Sequence, residues 1–223
     1  MANEEITLNR VIPGVGLART LPPVLPPNFL SRKSILADVA IELAGLTLVA
    51  APAGYGKTSL VAEYVATLDL PVIWITFNDS DDAKSFAAHF VQAIRNIFPE
   101  FGKWFSLDEE VVLKVFLAKT LQEIGQIPEK IVLVLDNNRV KHGDGAPFAE
   151  LYLNLVPANV HTIAIRRDIP SQAFTHIKSL PHVNIFEKQD IEFSAEEIAV
   201  IAQQKGISLD DRSNREALKN AGG

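Results

Sequence analysis

Residues 51–58 read Ala-Pro-Ala-Gly-Tyr-Gly-Lys-Thr, an order that sets one ammonium group and one hydroxyl directly behind two glycines. Gly54 and Gly56 permit a wrapped backbone whose successive N–H groups point inward. A helix beginning near Lys57 adds its positive dipole end at the same spot. Such a concavity selects anions. In this pattern, the phosphate-binding loop or Walker A motif, Lys57 reaches the β- and γ-phosphates of a nucleotide and the Thr58 hydroxyl ligates Mg²⁺. Ala53, Gly54, Tyr55, Gly56, Lys57, Thr58 and Ser59 are the residues expected to cradle the phosphates. Ala51 stands where the pattern usually has its first glycine, a mild departure because that position needs a small residue more than a positive φ. The plain alternative is a glycine-rich turn that binds nothing, but Lys followed by Thr has no packing purpose at a turn.

A phosphate loop needs an acid to hold the metal, placed at the C-terminal end of a neighbouring parallel strand, where ligands of such sheets bind. The run Lys-Ile-Val-Leu-Val-Leu-Asp over 130–136 supplies Asp136 as the expected Mg²⁺ partner of Thr58. The next residue is Asn137, where many nucleotide hydrolases carry a second carboxylate to activate water. An amide cannot accept that proton, so hydrolysis is expected to be slow or absent. Arg166 and Arg167 follow another apolar run, and one of them is placed to sense a γ-phosphate.

Those residues require a particular frame. Five short apolar runs, 46–50, 71–77, 130–136, 161–165 and 182–186, are rich in β-branched residues and lack alternation, as strands covered on both faces do. Helical patterns near 58–67, 84–98, 108–125, 147–155 and 194–205 fall between or after them. This order predicts an α/β fold: a doubly wound parallel sheet of about five strands with helices on both faces. Residues 31–43 place Ile35, Leu36, Val39 and Leu43 at helical spacing and predict one further short amphipathic helix. Upstream, Pro22, Pro23, Pro26 and Pro27 mark residues 1–28 as a linker or surface strap. Residues 29–206 form the expected nucleotide-binding domain. Residues 207–223 read as the start of a following helical region that continues in a longer protein.

Composition narrows the function. With 48% hydrophobic residues in 223 the chain can bury a real core, and no apolar run is long enough to span a bilayer. The absence of cysteine excludes disulfides and thiolate metal sites and fits a cytoplasmic location. A net charge of −6 argues against a nucleic-acid surface on this stretch. The acidic stretch at 78–82 lacks the glycine and glutamate of a calcium loop, Lys84 and Phe90 standing in their places, and is better explained as helix capping. The five histidines show no metal-binding spacing. The polar, glycine-bearing run after Asp136 reads as a mobile loop.

Taken together, 51–60, 72–82 with 86–94, 131–138, 163–167 and 190–198 resemble, in this order, the P-loop ATPase domain of STAND-class signalling proteins. The likeness is to the large LuxR-type transcriptional regulators of the maltose-activator kind, and it covers about residues 17–223. The resemblance implies an ATP/ADP switch: ADP holds a closed monomer, and ATP with an inducer opens it for self-association. It implies that Arg32 lies near the adenine, although Ser34 replaces a second arginine, and that Arg167 is the sensor arginine. It further implies a small-molecule or protein inducer acting through other domains, DNA contact only through a C-terminal domain outside this stretch, and no membrane partner. The alternative is an ordinary P-loop ATPase or phosphotransferase with real turnover.

Overall fold

The computed structural model describes residues 11–39, 41, 45–78, 80–137, 152–167, 177 and 183–207. Five strands are β1 (Gly45–Ala50), β2 (Val72–Thr76), β3 (Ile131–Asp136), β4 (Val160–Arg166) and β5 (Val183–Phe186). They form one sheet in the order β2-β3-β4-β1-β5, every pair parallel. The helices are α1 (Lys57–Val65), α2 (Ala83–Arg95), α3 (Leu113–Ile124), α4 (Lys188–Ile191) and α5 (Ala195–Gln204), with one further helical turn at 152–155. This is the α/β architecture with a parallel sheet that a P-loop nucleotide-binding fold requires.

Strand periodicity explains the layers. Side chains alternate across a pleated strand, so Ile73, Ile75, Leu133 and Leu135 enter one apolar cluster with Phe90 and Ile94 of α2 and Leu117 and Leu121 of α3. Their neighbours Trp74, Val132, Val134, Ile163 and Ile165 enter the opposite cluster with Leu60, Val61 and Val65 of α1. Both faces of the sheet are therefore covered, which is why the strands read as unbroken apolar runs.

Three expectations are corrected. Among the described residues of 31–43 there is no amphipathic helix: a 3-10 turn spans Lys33–Leu36, and Leu36 and Val39 reach the α1 cluster from it and the turn that follows. The helix expected from 108 begins at Leu113, because Val112 is in extended conformation. The strand bearing Asp136 does not neighbour β1, since β4 lies between them. The loop from 138 onward, most of the helix expected over 147–155 and the segment after 207 lie outside the described residues.

Residues 11–20 lie along α2. Ile12 N–H donates to Gln92 Oε1 at 2.8 Å, Gly16 N–H to His89 Nε2 at 3.3 Å, and Asn96 Nδ2 donates to the Thr20 carbonyl at 3.0 Å. Arg19 donates to the Thr76 carbonyl at 2.9 Å and forms an ion pair with Asp81. The segment is thereby fastened to the end of β2.

Candidate functional site

The site begins with how the chain leaves β1. Gly54 has φ 90° and Gly56 φ 67°, left-handed angles that a side chain makes costly. They turn the backbone into α1, whose first two residues are Lys57 and Thr58. An added Cβ at Gly56 would meet nothing within 4 Å, so its backbone angle, not crowding, requires glycine there.

β3 delivers the second component. Asp136 closes the strand and is 7% exposed, and the Thr58 hydroxyl donates to its carboxylate at 3.2 Å to Oδ1 and 3.3 Å to Oδ2. Asn137 turns the chain away with φ 54°, an angle asparagine tolerates, and its Nδ2 donates to the Phe77 carbonyl at 2.9 Å. The end of β3 is thus tied to the end of β2.

A cleft of about 260 Å³ opens between these elements, lined by Ala53, Gly54, Gly56, Lys57, Thr58, Ser59, Asp136, Asn137, Ile165, Arg166 and Arg167. Three of these residues are cationic and one is anionic, so the cleft is locally positive in a chain of net charge −6. That polarity favours an anionic ligand. Lys57 is 8% exposed and its ammonium donates to the Pro52 carbonyl at 2.7 Å. Burial pushes Lys57 below the usual lysine range; Asp136 opposes the shift and the nearby Arg167 adds to it. Burial likewise raises Asp136 above the usual carboxylate range, against the pull of the Thr58 hydroxyl, the Asn137 N–H and the Lys57 charge. Two titratable groups displaced by burial and set in one cleft mark it as the candidate site.

The donor set fits a hard cation. A hydroxyl and a carboxylate lie within 3.3 Å of each other in the cleft, an all-oxygen pair of the kind Mg²⁺ takes together with water and phosphate oxygens. Among the described residues there is no cluster of three His, Asp or Glu that would hold a metal on its own. A cation here would complete its shell with water or with oxygens of a bound ligand.

Most of the expected site residues meet in this cleft; two do not. Tyr55 is buried in the α1 cluster, with the Lys188 ammonium 5.6 Å from its ring centroid. Arg32 is 6% exposed and contacts the start of α5 instead of the cleft. Ile165 and Arg166 join the lining beside Arg167, because the order places the end of β4 between the loop and Asp136. The signal for Ile165 was its position at the end of an apolar run.

No helix among the described residues is long and apolar enough to cross a membrane. No protein-family model matches the chain. Among curated proteins it is similar to the HTH-type transcriptional regulator MalT of Yersinia enterocolitica, 25% identical over 194 residues, which is 78% of this chain and 21% of that protein. MalT of Klebsiella pneumoniae is 24% identical over 189 residues, 78% of this chain and 20% of the relative. The serine/threonine-protein kinase PknK of Mycobacterium tuberculosis is 28% identical over 126 residues, 52% of this chain and 11% of the kinase. The chain therefore spans about a fifth of the length of the MalT regulators to which it is similar.

Proposed function

We propose that the chain is an ATP- and ADP-binding switch domain of a larger transcriptional regulator, binding Mg²⁺-nucleotide with slow or no hydrolysis and controlling self-association. The observation that carries this reading is the contact of Thr58 with Asp136 in one cleft with Lys57, beside a loop turned through Gly54 and Gly56. In this reading the loop amides and the Lys57 ammonium hold the phosphate oxygens, and Thr58 and Asp136 hold Mg²⁺. Mg²⁺ held there would supply neutralisation of the phosphate charge. Arg167 approaches from β4 to meet the terminal phosphate. Asn137 offers no proton acceptor and commits its amide to Phe77, which supports slow turnover. Similarity to MalT over 78% of the chain supports the regulatory setting. Inducer recognition and DNA contact belong, in this proposal, to other parts of the longer protein.

The test is to denature purified protein and assay released adenine nucleotide, then to follow melting with added Mg²⁺-ATP or Mg²⁺-ADP. A ligand at 100 times its Kd stabilises the folded state by about 2.7 kcal/mol. Lys57→Ala is expected to weaken binding by at least about tenfold, because it removes the charged donor to the phosphates. No nucleotide and no shift in melting overturns the reading. Rapid turnover that Asp136→Ala abolishes and Asn137→Ala spares would favour an ordinary ATP-using enzyme.

A further inference from the structure

Arg32 joins two parts of the chain that are far apart in sequence. Its Nε donates to Glu197 Oε1 at 2.8 Å, Nη1 to the Ile191 carbonyl at 2.8 Å and Nη2 to the Glu192 carbonyl at 2.9 Å. The guanidinium also lies over the Phe193 ring, 4.3 Å from its centroid. On the other side, the Arg32 backbone N–H donates to Glu63 Oε2 at 2.8 Å, and Glu63 belongs to the helix that begins at the phosphate loop. A second tie runs parallel to the first: Lys188, the first residue of α4, places its ammonium over Tyr55 inside the loop itself. The start of α4 is thus held to the loop, and the turn between α4 and α5 to α1 through Arg32.

A buried guanidinium engaged in three hydrogen bonds and a ring contact is poorly placed to leave for a ligand, since withdrawal strands its charge and two carbonyls. Resting on the nucleotide-binding proposal above, we infer that Arg32 is the pivot of a joint that passes the state of the phosphate loop to α5, and does not contact the nucleotide base. The receiving element is lightly held. Ala202 is the one buried residue of α5 among the described contacts, and Val200 is 40% exposed. An element with few buried contacts responds to a small bias at its anchor. The anchor here is Glu197, which also caps α5 by accepting the Ser194 N–H at 2.8 Å.

Hydrogen exchange read by mass spectrometry on the whole chain tests the joint, with Mg²⁺-ADP at about 100 times its Kd as the probe. In the wild type, exchange is expected to slow by up to about a hundredfold over 53–59, the limit set by ligand linkage, and by a smaller measurable factor over 195–204. In the Glu197→Gln/Phe193→Leu double variant the slowing over 53–59 remains and that over 195–204 disappears. Glu197→Gln alone, which keeps the cap geometry, is expected to show a reduced effect at α5 and guards against a double variant that unfolds. Protection of the loop without any at α5 in the wild type, or protection at α5 that survives both variants, overturns the joint. Protection at neither place sinks nucleotide binding itself and the joint with it.

Discussion

At the residue scale, Asn137 does two things at once, of which a carboxylate would do only the first. It holds φ 54° at the end of β3, and its amide hydrogen reaches the Phe77 carbonyl. Asn137→Asp keeps the backbone preference but turns an acceptor toward an acceptor. The variant is expected to lose about 1–3 kcal/mol of stability, read as a lower urea midpoint with unchanged m, the cost of leaving a carbonyl unpaired beside a charge. It is therefore not expected to gain a well-placed base for hydrolysis; a stability equal to wild type would show that the Phe77 contact contributes nothing. The residue types at 54, 56–58 and 136 were legible because their chemistry is local and spaced along the chain. The commitment of Asn137 to Phe77 was not, because it joins residues 60 positions apart.

Among the elements, the strands were the most legible and the N-terminal segment the least. Continuous apolar runs over 46–50 and 131–136 have one stable environment, a parallel sheet covered on both sides. By contrast, the spacing of Leu36 and Val39 satisfied a helical template that the chain meets with a single 3-10 turn, because both side chains already reach α1 from it and the turn that follows. The prolines at 22–27 signalled extended chain, and nothing in them showed that residues 11–20 lie along α2. A polar stripe at helical spacing on a buried helix, His89, Gln92 and Asn96, was the available sign that a backbone would lie there. The segment's strongest point is Arg19 on Asp81. Burial alone would raise the Asp81 carboxyl, but bonds from Arg19, the Asn78 N–H and the Ser85 hydroxyl, with the Arg19 charge, hold it below the usual carboxylate range. A carboxyl depressed on folding contributes stability above its unfolded value, and that contribution fades as pH falls through the folded one. The stability gap between wild type and Asp81→Asn is expected to be full above about pH 5 and to close on acidification below about pH 4. A gap constant across that interval in chemical denaturation would exclude the ion pair as its source.

For the whole molecule, the two apolar layers are separated by the sheet, so they can be weakened one at a time. Leu117 of α3 is fully buried in the layer away from α1. Leu117→Ala is expected to cost about 2–5 kcal/mol in stability through the cavity it leaves, with the affinity for Mg²⁺-ADP in the surviving folded fraction unchanged. Val61→Ala, in the layer that supports α1, is expected to alter both. Equal effects of the two on affinity would show that the layers are not independent. The double-layered plan was legible from the order of strands and helices, whereas strand order was not: nothing local in 160–166 announces that this run is inserted between the other two.

That insertion has a consequence of its own. β1 and β3 share no hydrogen bonds, so the two jaws that grip from either side are spaced by a shim two interstrand steps across, roughly 10 Å. Whatever bends or slides the shim changes the bite of both jaws together, and its tip brings Arg166 and Arg167 to the lining of the gap.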